Sequence, residues 1–167
     1  MLTLNYSRMQ SPIGPLVIGV SEKGLAIIEF DRGDFPKGRL GKTAHWEESP
    51  ARTAHVIREL KEYFAGKRRD FTIPLDLQGT EFQKKCWRAL LKIPYGKTRT
   101  YADIARSVGC PQGFRAVGMA NHDNPVPIIV PCHRVLASGG KLGGYGGGLD
   151  VKRKLLELEG ALQPALL

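Results

Sequence analysis

Pro131, Cys132, His133, Arg134 and Val135 set a thiol, an imidazole and a guanidinium side by side behind a proline. A thiol is a weak nucleophile until it loses its proton, so a cysteine used for chemistry needs a base within reach. His133 is the adjacent candidate, although neighbouring residues of an extended chain point to opposite sides. A sharp turn after Pro131, or a bridging water, would bring the two together. The competing reading is a structural histidine behind a buried cysteine. A histidine base in turn needs an acceptor that orients it. Glu159 is the candidate: it ends the last helix on the border of an apolar stripe, where the helix dipole disfavours a carboxylate and calls for a partner.

The elements that must hold these groups are legible in outline. Val126 to Val130 is an apolar run that reads as a buried strand delivering Cys132. Thr80-x-x-Gln83 is a capping box opening a helix with Phe82, Cys86, Trp87 and Leu90 inward, which makes Cys86 a small core residue. Thr100-x-x-Asp103 opens a second helix, closed by Gly109, and a third runs from about Gly113 to Asn121. Two short helices joined by a turn fit either a helix-turn-helix or a plain helical hairpin. Gly113, Ala116 and Ala120 form a small-residue stripe on the second of them, and Arg115 is its long cation. A slim face with one arginine suits a minor groove better than major-groove base reading. A last helix, capped by Asp150, runs from Val151 to Glu159 and stops at Gly160.

The first half alternates like an antiparallel sheet of three strands, Leu2–Tyr6, Leu16–Val20 and Leu25–Phe30, with Ser21–Gly24 as a hairpin. Residues 31–48 have no period and read as a loop. Ser49 and Pro50 then start a helix whose stripe is Val56, Leu60, Tyr63 and Phe64, ended by Gly66. The fold class is thus mixed α/β: a sheet-and-helix domain over 1–78 and a mostly helical domain over 79–167. His45 and His55 have no partners at ligand spacing.

Charge divides the chain at the same place. Residues 1–78 hold 12 Lys+Arg against 10 Asp+Glu, and residues 79–167 hold 13 against 6. A basic half fits a polyanion such as nucleic acid, or simply a soluble basic surface. Three widely spaced cysteines build neither a disulfide scaffold nor a cysteine-rich metal site, and the natural setting is a reducing cytoplasm. No stretch reaches the length of a membrane span, and the N-terminus lacks the layout of a signal peptide.

Pro131-Cys132-His133-Arg134-Val135, with Asn124-Pro125 before it and Gly143-Gly144-Tyr145-Gly146-Gly147-Gly148 after it, resembles the signature of the O6-alkylguanine-DNA alkyltransferases. The similarity runs from about Thr80 to Gly160. It implies a ribonuclease H-like first domain and a DNA-binding second domain acting as a monomer on duplex DNA without cofactor or metal. The cysteines of the zinc site that some members carry in the first half are missing here. The resemblance further implies that Cys132 accepts the alkyl group, with His133, Glu159 and a water as its relay, and that Asn124 braces the active-site turn. It implies that Tyr101, Tyr145, the carbonyls of Cys132 and Val135, and the Gly146 amide bind the base, and that Lys152 lies near the site. Gly146 stands where the family often has serine, so a hydroxyl contact is lost. Arg115 would fill the gap left by a flipped nucleotide, with Gly113, Ala116 and Ala120 in the groove. A lesion-binding relative without chemistry would lack the cysteine. A helix-turn-helix regulator would carry base-reading side chains on its second helix. A cysteine hydrolase would leave the basic pair of helices unexplained.

Overall fold

Thr3–Met9 (β1), Leu16–Val20 (β2) and Leu25–Phe30 (β3) pair antiparallel in the order β3-β2-β1. Burial alternates in part along β1, whereas β2 is buried throughout and β3 nearly so, so the expected alternation holds only for the first strand. The structure is a computed structural model describing residues 1–36 and 38–162. It divides into two compact units, Met1–Gln78 and Gly79–Leu167.

In the first unit the expected loop 31–48 instead carries a short helix, Gly38–Thr43 (α1), and a fourth strand, His45–Glu48 (β4), parallel to β1. Burial explains both. Leu40, Ala44 and Trp46 pack against the core formed by Leu4, Ala26 and Ile27. Trp46 also meets Tyr6 edge-on and donates its Nε1–H to Gly41 O at 2.7 Å. The helix Pro50–Phe64 (α2) starts as its Ser49 cap predicts and buries Val56, Leu60 and Tyr63 against β1 and β2. At the hairpin tip Gly24 has φ +151°, and an added Cβ would lie 2.4 Å from Pro74 O, so only glycine fits.

The second unit begins with the capping box at Thr80 and the helix Glu81–Leu91 (α3). Arg99–Thr100 (β5) pairs in parallel with Val135–Leu136 (β6), which sets Tyr101, the next residue, beside the segment that follows Cys132. Tyr101–Ser107 (α4) and Phe114–His122 (α5) are the two helices of the expected turn-linked pair. Trp87 Nε1–H donates to Ala120 O at 2.8 Å and seats α5 on α3. The last helix is Leu149–Leu158 (α6), and its N-cap is Gly148 at φ +99°; Asp150 lies inside the first turn. A residue at positive φ was needed there, and the loop supplies it as glycine.

The Val126–Val130 run is buried, as its composition demands, but it is not a strand. It folds into a tight turn closed by Val130 N–H donating to Val126 O at 3.0 Å, with a single bridge between Pro127 and Val130. Prolines at 125, 127 and 131 remove the N–H donors that a strand would need. Ile128, fully buried, takes φ +77°, a costly conformation for a β-branched residue.

Replacing Trp87 by Phe leaves Ala120 O buried without its donor. The expected loss of unfolding free energy is about 1 to 3 kcal/mol, measured by urea denaturation. An unchanged midpoint would mean that this bond does not hold α5 in place.

Candidate active site

Cys132 opens a single 3-10 turn, Cys132–Arg134, immediately after Pro131. The chain thus turns sharply after Pro131 instead of running on extended, where adjacent side chains would point to opposite sides. Cys132 is only 6% exposed. Burial pushes its thiol up to about 11, against the pull of an Asn124 hydrogen bond and the Lys152 charge. At rest the thiol is therefore protonated and unreactive.

Asn124 does more than brace the turn. Its Nδ2 donates to Val130 O at 2.8 Å and to Cys132 Sγ at 3.1 Å, and its Oδ1 accepts from Val126 N–H at 3.0 Å. One amide thus ties both ends of the proline-rich turn and touches the nucleophile.

His133 is fully buried, and its Nε2 lies 2.8 Å from Glu159 Oε2. An ionised carboxylate only accepts, so the proton sits on Nε2 and Nδ1 keeps a lone pair. Nδ1 is buried and has no hydrogen-bond partner among the described residues. Burial lowers the imidazole pKa, outweighing the pull of Glu159, so His133 is neutral and able to accept a proton.

Arg134 is the residue that sequence reasoning passed over. Its Nε and one terminal nitrogen reach Glu159 Oε1 and Oε2 at 2.8 and 3.0 Å, and its other terminal nitrogen donates to Ile93 O at 2.7 Å. Its place directly after His133 was visible; its burial was not. Desolvation works to raise the Glu159 carboxyl, yet hydrogen bonds and charge from His133 and Arg134 hold it down to about 2.

Lys152 is fully buried. Its Nζ donates to Val135 O at 2.6 Å and to Gly144 O at 3.2 Å, joining the segment after Cys132 to the glycine-rich loop. Burial lowers its pKa to about 8. The Val135 carbonyl expected to receive the base is thus already bonded on one side.

A cavity of about 50 Å³ is lined by Cys132, Tyr101, Gly118, Asn121, Tyr145 and Gly146, among others. That is room for a few waters only. Burial raises the hydroxyls of both Tyr101 and Tyr145, which keeps them as donors. A larger groove of about 600 Å³ runs between α3 and α4, lined by Lys85, Arg88, Lys92 and Arg99. No cysteine lines it, and Cys132 opens onto the smaller cavity.

On α5, Arg115 and Ala116 are exposed, while Ala120 is 2% exposed and faces inward. The expected small-residue stripe is therefore not one surface, because seating α5 on Trp87 turns Ala120 into the core. Gly113 has a local reason to be glycine, since an added Cβ would lie 2.5 Å from Cys110 Sγ. Phe114 and Met119 are more than half exposed on the same helix.

Two family models match the chain: the 6-O-methylguanine DNA methyltransferase ribonuclease-like domain over residues 4–77 and its DNA binding domain over residues 81–161. The chain belongs to the 6-O-methylguanine DNA methyltransferase family. Among curated members of this family, it is 49% identical to the methylated-DNA–protein-cysteine methyltransferase of Methanosarcina barkeri, over 92% of this chain and 96% of that one. It is 46% identical to the Mycolicibacterium paratuberculosis protein of the same name, over 98% and 97% of the two chains. Among solved methyltransferases, the Mycobacterium tuberculosis OGT in complex with DNA superimposes with a TM-score of 0.84 at 44% identity, over 94% of this chain and 93% of that one. Among the described residues no helix is long and apolar enough to cross a membrane.

Glu159→Gln keeps the shape but removes the charge that His133 and Arg134 share, and is expected to cost about 3 to 5 kcal/mol near neutral pH. The Glu159 carboxyl is held at about 2 against an ordinary 4.5, so its stabilisation is complete above 4.5 and fades as the pH falls toward 2. Urea unfolding of both proteins across that window is expected to show a shallower acid loss in the Gln variant. Parallel pH dependences would contradict the shared-carboxylate account.

Proposed function

We propose that this chain repairs O6-alkylguanine in DNA by moving the alkyl group onto its own Cys132, once per molecule. The observation that carries this reading is a buried Cys132 thiol at a cavity walled by two tyrosines and a glycine loop, next to a carboxylate-held neutral histidine. The Mycobacterium tuberculosis OGT–DNA complex supports DNA as the partner. The unit 79–167 binds DNA and accepts the alkyl group, and the unit 1–78 supports it.

The basic second unit holds duplex DNA through its phosphates. O6 of guanine is out of reach inside the stack, so the nucleotide must be extruded, at a cost of a few kcal/mol that is smaller for a badly paired lesion. Arg115, exposed on α5, fills the vacated place. The cavity is too small for a purine, so the loop from Gly143 to Gly148 shifts to admit it.

Base entry sets the thiol beside the alkyl carbon, the near-attack geometry in which little further reorganisation is needed. His133 Nδ1 takes the Cys132 proton through one bridging water, and the Asn124 amide steadies the sulfur as charge appears. The thiolate attacks carbon, an S–C bond forms, and the C–O6 bond breaks with its electrons left on guanine. The Gly146 N–H and the Tyr101 hydroxyl stabilise that developing charge. The proton drawn from the thiol finally restores neutral guanine. The product thioether is not cleaved by any group of this site, which makes the protein its own consumed acceptor. No step calls for a metal or an organic cofactor.

Intact-mass analysis after incubation with duplex DNA containing O6-methylguanine is expected to show the gain of one methyl group, mapped to Cys132 and absent in Cys132→Ala. Arg115→Ala is expected to slow transfer from duplex more than from single-stranded lesion DNA, where no stack must be opened. Tight lesion binding with no mass change would overturn the reading.

A further inference from the structure

The wall of the Cys132 cavity holds a buried amide that the relay leaves without a task. Asn121 is 7% exposed and lines the cavity together with Cys132, Tyr101 and Tyr145. Neither its Oδ1 nor its Nδ2 makes a hydrogen bond of normal geometry, although both atoms are buried. The Tyr101 hydroxyl is its polar neighbour: burial and the nearby Cys132 raise that hydroxyl, and the Asn121 amide pulls the other way.

A buried amide whose one polar neighbour, the Tyr101 hydroxyl, gives it no hydrogen bond of normal geometry is costly, and the rest of the inward face of α5 shows the inexpensive alternative. Val117 and Ala120 occupy that face as apolar side chains. A leucine at 121 would fill nearly the same volume without desolvating an amide. Native proteins keep such a group where a partner arrives later. The amide borders the cavity onto which Cys132 opens, where a substrate would meet the sulfur.

We propose that Asn121 reads the flipped base, its Nδ2–H donating to a ring nitrogen of the O6-alkylpurine seated against Cys132. This rests on the alkyl-transfer reading of the cavity and deepens it. An O6-alkylguanine has three acceptor ring nitrogens in its plane. N1 lies beside the O6-alkyl group and takes up the proton when that group leaves, so N3 and N7 are the two open to an amide that meets the base edge-on at the wall. Asn121 thereby selects a purine in one orientation and sets its O6-alkyl carbon toward the sulfur. The residue touches the base and takes no part in proton transfer.

The test is the single-turnover transfer rate of the wild type, Asn121→Leu and Asn121→Ala on duplexes carrying O6-methylguanine or its 3-deaza or 7-deaza counterpart. The wild type is expected to lose about tenfold on one deaza base, the worth of one such bond with its partner left unpaired. The variants are expected to lose about tenfold on the natural base and nothing further on that same deaza base, the coupling expected of a direct pair. Thermal unfolding and slow labelling of Cys132 by iodoacetamide identify any variant that has simply misfolded, and the alanine variant serves if leucine is not tolerated. Wild-type rates in the variants, or losses that add on both analogues, would overturn the proposal while leaving alkyl transfer intact. No transfer by the wild type would overturn both.

Discussion

One buried carboxylate sets the terms for the rest of this site. Glu159 is shared by His133 and Arg134, all three residues being at most 6% exposed. A carboxylate so placed would ordinarily hold its histidine as an imidazolium, which is useless as a base. Burial prevents this, and Arg134 adds to it. Its guanidinium satisfies the charge of Glu159 and its field disfavours a second cation, so the imidazole can be oriented without being protonated. Burial, assisted by charge balance, keeps His133 available as a base. The same guanidinium donates to Ile93 O, so the end of α3, the 3-10 turn and the end of α6 are fixed by one ionic group.

The nucleophile depends on a second constraint, the proline-rich turn ahead of it. Three prolines deprive the segment of donors, and Asn124 replaces them with an amide that reaches Val126, Val130 and the sulfur. Ile128 holds a left-handed conformation inside this turn, a strain the surrounding packing must sustain. The outcome is a thiol that is positioned yet kept inert by burial. Its reactivity is conditional on the substrate that completes the site, which suits an acceptor consumed by a single event. Lys152 links this segment to the glycine loop through two carbonyls, so opening the loop and presenting the turn are mechanically connected.

How much of this was legible in the sequence follows from the range of the interactions. Capping boxes at Thr80 and Thr100 are closed within four residues, and both helices start where those residues stand. Glu159 could be found because a carboxylate at a helix end bordering an apolar stripe is locally unfavourable. The strand β4 could not, because its stability comes from a parallel pairing with β1 some forty residues away. The run Val126–Val130 was misread for a physical reason: apolar composition reports burial, and burial is not strand geometry. Ala120 was placed on the surface stripe because a helical wheel does not say how far α3 rotates its neighbour. Arg134 and Asn121 were passed over, and Lys152 was recognised only through the family resemblance, for one shared cause. Polar side chains in a sequence look solvated, and only packing reveals that these three are enclosed.

Deprotonation of Cys132 depends on the protonation state of one ring. The nitrogen-15 chemical shifts of His133, observed at neutral pH in the unalkylated protein, report both its charge and its tautomer. A neutral imidazole protonated on Nε2, with an unprotonated Nδ1, is the predicted state, and Arg134→Gln should convert it toward the imidazolium. A charged ring in the native protein, or a proton on Nδ1, would contradict the claim that Glu159 and Arg134 together prepare His133 as the base for Cys132.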